Sequence, residues 1–200
     1  MTAADLKGYI KSSEFADCLE LFIFEHETQC VVVSLAQHDK LLEFVTFLKN
    51  CKFCLDMLVD VCAVDYLGVN DKRFEVVYHF LSIKHNIRLR LKVKVNENEK
   101  VDSICGLYLA SNWYEREIFD MYGIEFNNHP DLRRILTDYG FDGHPMRKDF
   151  PLTGFVQVKY DIETKSVVNE PVELMQNYRS FDFEMPFNYV KNVFKKPIES

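Results

Sequence analysis

Between Ile87 and Val95 apolar and charged residues alternate strictly, with Ile87, Leu89, Leu91, Val93 and Val95 set against Arg88, Arg90, Lys92 and Lys94. A period of two sends successive side chains to opposite faces of an extended strand, so one face belongs to a core and the other carries four cations. Leu19 to Glu25 and Gln29 to Leu35 are two further β-rich runs, and Glu25-His26-Glu27-Thr28 between them reads as a hairpin turn. The period then changes. Asp39 is placed to cap a helix whose Leu41, Leu42, Val45 and Leu48 recur at helical spacing, ending near Asn50. Strand character returns at Leu55 to Val64, and after a polar turn at Gly68 to Lys72 again from Arg73 to Ile83. The pattern predicts a sheet with one helix packed on it.

A short helix is expected at Ser103 to Leu109, and a second, capped by Ser111, carries Tyr114, Ile118, Met121 and Tyr122 on one face before Gly123 ends it in a left-handed turn. From Ile124 to Gly154 the periodicity vanishes, and a long ordered loop of this kind is usually functional or interfacial. Phe155 to Val168 reads as a last hairpin. Glu170 to Ser200 is aromatic-rich without a repeat, too apolar for a linker and too irregular to pack on itself, so it is read as an arm that lies on a partner. The expected organisation is a core domain over residues 1–154 and a hairpin with an extended arm over 155–200.

With 200 residues and 48% hydrophobic content, the chain can bury one core without disulfide or metal staples. Charged residues interrupt every apolar run well short of the roughly 18 residues of a membrane span. The net charge of -7 argues against a nucleic-acid binder, which needs clustered cations in excess. The first Arg is Arg73, while Asp5, Glu14, Asp17 and Glu20 occupy the beginning, where a mitochondrial transit peptide would be Arg-rich and acid-poor. The expectation is a mature form, or a chain made where it works. Rich use of Phe, Tyr, Lys, Asn and Ile against eight Arg and seven Gly resembles the bias of an AT-rich genome such as an organelle's.

Six cysteines without a paired framework are read as reduced, buried thiols. Cys51 and Cys54 have CxxC spacing, but no second close pair of ligands accompanies them, and they end a helix instead of starting one. His129 and His144 both precede Pro, with Asp131, Asp138, Asp142 and Asp149 around them. They lie fifteen residues apart among competing cations, so loop-fixing hydrogen bonds are favoured over a metal-dependent hydrolase site. The Arg88 to Lys94 stripe is read as a solvated face balanced by carboxylates on a neighbouring strand, with a binding stripe as the other reading. Charge pairing stands out in and before the aperiodic segment: Glu115, Arg116, Glu117 and Asp120, then Arg133, Arg134, Arg147 and Lys148 with their aspartates. Arg forks on carboxylates hold irregular backbone rigid against a second surface, which makes this segment a candidate interface. The reading left open beside it is a self-contained ion-pair network within one domain.

Glu115-Arg116-Glu117-Ile118-Phe119-Asp120-Met121-Tyr122-Gly123-Ile124, then His129 to Phe141 and Gly143 to Leu152, resembles the signature of the 30-kDa subunit of respiratory complex I. Glu170-Pro171-Val172-Glu173-Leu174 and Tyr178-Arg179-Ser180-Phe181-Asp182-Phe183 are similar to the same family. The resemblance implies an α+β fold, a mixed sheet with helices on one face, a long ordered loop and an extended C-terminal arm that embraces the 49-kDa quinone-site subunit. It implies a non-catalytic share in NADH oxidation, quinone reduction and proton pumping, in a hetero-oligomer with other peripheral-arm subunits. FMN, iron-sulfur clusters and quinone are then expected in partner subunits and no cofactor in this chain. Related subunits occur in membrane-bound hydrogenases and photosynthetic complex I-like enzymes. The interface expectation rests on Glu115, Arg116, Glu117, Asp120, His129, Arg133, Arg134, Asp138, His144, Arg147, Lys148, Asp149, Glu170, Phe181 and Phe183. The resemblance implies a peripheral place on a respiratory membrane; short length, the absent transit signal and composition tip the expectation to the matrix side of the mitochondrial inner membrane, with the cytoplasmic side of a bacterial plasma membrane as the alternative.

The purified chain is expected to be colourless and metal-free; visible absorbance bleached by dithionite, with stoichiometric iron, would overturn the cysteine reading.

Overall fold

In the computed structural model, residues 1–25 and 30–176 are described, the side chains of 21–25 excepted. The predicted turn at 26–28 and the end of the arm, with Phe181 and Phe183, lie outside the described residues. The chain divides into two compact units, Met1–Leu152 and Thr153–Ser200.

The first unit is built on a five-stranded sheet of β1 (Leu19–Glu25), β2 (Cys30–Leu35), β3 (Met57–Asp65), β4 (Phe74–Ser82) and β5 (Ile87–Val95), in the order β1-β2-β5-β4-β3. β1–β2, β3–β4 and β4–β5 pair antiparallel, whereas β2 and β5 run parallel, Val31 opposite Leu89 and Val33 opposite Leu91. The sheet is therefore mixed. α1 (Ala3–Lys11), α2 (Leu41–Asn50) and α3 (Ser111–Tyr122) contribute to one core on its apolar face. Leu89, Leu91, Val93 and Val95 of β5 meet Leu6 and Ile10 of α1, Phe44 and Leu48 of α2 and Ile118 of α3 in a single cluster. Truncating a fully buried ring such as Phe44 to Ala costs about 3–5 kcal/mol. On the opposite face Lys92 donates to Glu75 at 2.8 Å and Lys94 to Glu20 at 2.7 Å. Carboxylates thus balance Lys92 and Lys94, with Glu75 on the adjacent strand β4 and Glu20 on β1.

α1 was not among the expected elements. Its buried Ala3, Leu6 and Ile10 are a thin apolar signal, but Thr2 and Asp5 form a reciprocal capping box, Asp5 N–H to Thr2 Oγ1 and Thr2 N–H to Asp5 Oδ2. α2 begins at Leu41, yet Asp39 does not cap it, because residues 38–40 form a 3-10 turn in front of the helix. Ser103 to Leu109 is not a helix but a series of turns. Ser111 is not a cap either: it lies inside α3, donating to Tyr108 O at 2.8 Å. Between these elements β6 (Val101–Asp102) and β7 (Phe126–Asn127) pair parallel.

The second unit contains β8 (Val156–Asp161) and β9 (Ser166–Pro171), an antiparallel hairpin running three residues past its expected end. Asp161 turns it, accepting from the Glu163 and Thr164 amides and the Thr164 hydroxyl. Val156, Val158 and Tyr160 alternate onto one face and are exposed.

Tyr78 lies fully buried on β4, and its hydroxyl has no hydrogen-bond partner among the described residues. An orphaned polar group inside a core costs about 1–3 kcal/mol. Tyr78→Phe is therefore expected to raise the melting temperature; a fall would show that the hydroxyl is held by a buried water.

Candidate functional site

α3 carries the first block of signature residues, and their spacing divides them between inside and outside. Ser111, Glu115 and Ile118 share the buried face, while Trp113 and Glu117 point to solvent. The helix stops at Gly123, whose φ of 80° is the left-handed conformation a glycine adopts freely, with its N–H on Phe119 O. Space adds a second requirement. A Cβ at Gly123 would lie 2.7 Å from His144 Nε2, because the His144 ring packs there with Nδ1 donating to Asp120 O at 2.9 Å.

Asp120 is the centre of the arrangement. Its side chain has no solvent exposure, and its Oδ2 accepts three consecutive amides, Ile135 at 3.0 Å, Leu136 at 2.7 Å and Thr137 at 3.0 Å. Oδ1 takes the Thr137 hydroxyl at 2.6 Å and Arg134 Nη1 at 3.1 Å, and the same Nη1 reaches Gly143 O at 2.9 Å. Burial alone would raise this carboxyl's pKa. The Thr137 hydroxyl and the three amides outweigh it and hold the group far below the usual carboxylate range.

A second cluster fixes the end of the segment. Arg73, immediately before β4, bonds both oxygens of Asp65 at 3.0 and 2.9 Å and reaches Asp149 at 2.9 Å. Arg147 grips Asp149 through two 3.1 Å bonds; both arginines pair with Glu97 and lie over the Phe74 ring, 5.0 and 5.6 Å from its centroid. The Lys148 amide donates to Asp65 at 2.9 Å, while its side chain is exposed. Arg147 and Arg73 together pull the Asp149 carboxyl well below its ordinary range.

Glu115, Cys105 and His129 bring three potential ligand atoms within 4.8 Å of one another. Glu115 accepts from the Ile104 amide at 2.9 Å and the Cys105 thiol at 3.5 Å, and burial pushes both the carboxyl and the thiol upward in pKa. His129 Nδ1 accepts the Asp131 amide at 3.1 Å, which leaves the proton on Nε2, donated to Asn112 O at 3.2 Å. Both ring nitrogens are thereby committed to backbone. A metal would need one of these bonds broken and the thiol ionised, so the donor set favours loop-fixing hydrogen bonds.

Of the residues expected at an interface, Glu115, Asp120 and His129 have side chains with no exposure, and Arg116 is buried with its guanidinium on Arg133 O and Arg134 O at 3.1 and 3.4 Å. These four bond inside the domain, in a network of the self-contained kind that spacing alone left open beside the interface reading. Arg134, Arg147, Asp149 and His144 also bond within the chain. Glu117, Arg133, Asp138 and Lys148 have exposed side chains, Arg133 pairing with Asp131 at 2.9 Å. Glu170 lies on β9, accepting from Gln157 at 2.8 Å. Residues not anticipated are Asp65, Arg73 and Glu97, which precede the signature, and the exposed Leu136, Tyr139, Met146 and Leu152 within it.

What this site does chemically is bind backbone: acids accept from amides and guanidinium groups, holding an irregular segment against an α+β domain. Residues 34–156 match the family described as the 30 Kd subunit of respiratory-chain NADH dehydrogenase. An NADH-quinone oxidoreductase subunit of Xanthobacter autotrophicus is 56% identical over 155 residues, 77% of this chain and 74% of that protein. The subunit of the same name from Bartonella quintana is 49% identical over 183 residues, covering 92% and 89%. Among solved structures, the trypsin-resistant fragment of Nqo5 superposes with a TM-score of 0.55 at 26% identity, over 66% of this chain and all of that fragment. A chain of the archaeal membrane-bound sulfane sulfur reductase shares the fold, with a TM-score of 0.63 at 21% identity over 74% of this chain and 85% of that one. The chain belongs to the 30-kDa subunit family of the respiratory-chain NADH dehydrogenase.

Asp120→Ala is expected to cost about 3–5 kcal/mol, the usual result of removing one partner from a buried charged network. The pH dependence has a definite sign. A carboxyl with a depressed folded-state pKa stabilises the fold above its unfolded value of about 3.9, and that contribution is withdrawn as pH falls below it. Denaturant titrations from pH 7 down to 2 should therefore show the wild type losing stability faster than the variant; parallel curves would remove Asp120 from its central place.

Proposed function

We propose that this chain is a structural subunit of the peripheral arm of a proton-pumping NADH:quinone oxidoreductase, docking on the 49-kDa quinone-site subunit and holding no cofactor of its own. One observation carries the reading. The signature segment is rigidly pinned from within, yet it turns Leu136, Tyr139, Met146 and Leu152 outward, 60, 108, 55 and 78% exposed. Apolar side chains on a backbone already fixed bind at little cost in ordering entropy, which suits a permanent contact between subunits. The β8–β9 hairpin supports it independently, since a two-stranded ribbon with an exposed face of Val156, Val158 and Tyr160 is marginal until something covers that face. We assign FMN, iron-sulfur clusters and quinone to partner subunits and keep the domain division as a core over 1–154 with an arm over 155–200.

Among the described residues no helix is long and apolar enough to cross a membrane. The composition supports a peripheral place on the matrix side of the mitochondrial inner membrane; the relatives named above are bacterial. The electron donor of the whole complex is read from what co-purifies with the chain, and a hydrogenase-type or photosynthetic donor would leave this subunit's part unchanged.

Arg133→Glu tests the docking. Its pair with Asp131 is an exposed internal contact worth about 0–1 kcal/mol, so the isolated chain should melt nearly as the wild type does. Affinity for the quinone-site subunit should fall by about 30-fold or more. A large drop in melting temperature with unchanged affinity would withdraw the interface.

A further inference from the structure

Cys51 and Cys54 follow the end of α2, and the signature network makes no use of either. No other two cysteines stand so near one another in the sequence. The Cys54 N–H donates to Cys51 O at 3.1 Å, which makes residues 51–54 a hydrogen-bonded turn. A turn of this kind keeps its first and fourth Cα atoms within about 7 Å, and a disulfide spans about 4.4–6.8 Å between Cα atoms. Cys54 has a φ of 51°, a left-handed conformation that a residue with a Cβ adopts where its surroundings impose it. They do so here from both sides. Phe53 is fully buried against Tyr9, and Leu55 is fully buried with its carbonyl accepting the Tyr108 hydroxyl at 2.5 Å. The backbone that brings the two cysteines together is thus held in place by the core around it.

The two thiols differ in access. Cys51 is 7% exposed and donates to Leu48 O at 2.9 Å, while Cys54 is half-buried and donates to Lys52 O at 3.8 Å. Burial pushes the Cys51 thiol up in pKa, opposed by the Phe53 and Cys54 amides that face its sulfur. A place at the end of a helix argues against a zinc or thioredoxin-like site, but it leaves plain thiol oxidation open. We propose that Cys51 and Cys54 form a reversible thiol–disulfide site that takes hydroperoxides as its oxidant, Cys54 attacking first and Cys51 resolving. The Cys54 thiolate attacks one peroxide oxygen, the O–O bond breaks, and the leaving hydroxide takes up the proton given by the Cys54 thiol to become water. The Cys51 sulfur then attacks the resulting sulfenic acid; the S–S bond forms, the S–O bond breaks, and the Cys51 proton leaves with the hydroxide as a second water. The two sulfurs together lose two electrons and the peroxide gains two. A thiol reductant reverses the change by attacking the disulfide in two exchange steps. Side-chain rotation away from Leu48 O and Lys52 O closes the bond, with the turn keeping its backbone in both states.

Trypsin reads the bond directly, because Lys52 lies between the two cysteines. The full chain is reduced, treated with hydrogen peroxide, blocked with iodoacetamide, denatured and digested. Peptides 50–52 and 53–72 should then stay joined, lighter by two hydrogens than their sum, and separate with dithiothreitol. Cys62→Ser removes the other cysteine of the second peptide and should leave the link in place; loss of the link would reassign it to Cys62 and overturn the pairing. At the same peroxide dose Cys51→Ser should stop at a Cys54 sulfenic acid that dimedone traps, and Cys54→Ser should slow oxidation of Cys51 by about tenfold or more. Oxidation of Cys51 at the wild-type rate in Cys54→Ser would overturn the order of attack. A wild-type chain that stays reduced, or that carries the peroxide into sulfinic acid without a link, overturns the site. So does an oxidised chain that no longer melts cooperatively, since the turn would then not serve both states. None of these readouts depends on the docking proposed above.

Discussion

A carboxylate buried without solvent is costly unless its lone pairs are filled, and Asp120 fills them with the backbone of the segment it organises. Three consecutive amides converging on one oxygen curl residues 135–137 around a point on α3. Ordering an irregular backbone costs about 1–2 kcal/mol per residue, which few apolar contacts are available here to offset. The anion supplies what packing does not. Arg134 extends its reach to Gly143 O, and His144 returns to the carbonyl of Asp120 itself, so a stretch of some 25 residues closes back on a single helical turn.

The Arg73, Arg147, Asp65, Asp149 and Glu97 cluster fastens the far end of the same stretch, but by weaker physics. Asp149 and Glu97 are each 44% exposed, and water and salt screen their pairs. Asp65 is the exception, nearly buried and receiving Arg73 and the Lys148 amide together. Glu115 differs from both in sign: burial raises its pKa, so above that value its ionised form draws on the stability the rest of the domain provides.

The strands were readable wherever one face is core and the other is not. β5 matches its expected bounds because alternation runs through every residue, and the hairpins follow from β-rich runs with polar breaks. α1 was missed because three small or widely spaced apolar residues make a faint helical stripe, although the capping box of Thr2 and Asp5 marks its start. Ser103 to Leu109 resembles a helix in composition, but Glu115 and Ser103 side chains draw that segment into turns by bonding the Ile104 and Cys105 amides. The signature charges could be found but not placed. Charge type says nothing of burial, and the deciding signal was the helical spacing of Ser111, Glu115 and Ile118, which puts a glutamate on the apolar face.

The parallel pairing of β2 with β5 sets a timetable for biosynthesis. Cys30 lies opposite Arg88, nearly sixty residues later, and the β3–β4 hairpin must be made before the slot beside β2 is filled. Until β5 emerges from the ribosome, β2 has a bare edge and α1 and α2 have only part of a sheet to cover. Non-local closure of this kind is slow and leaves strand edges open to wrong pairing. Asp120 must wait longer, for residues 135–137. The nascent domain thus carries exposed apolar surface through more than half of its translation, a burden that falls on chaperones before it falls on any assembly partner.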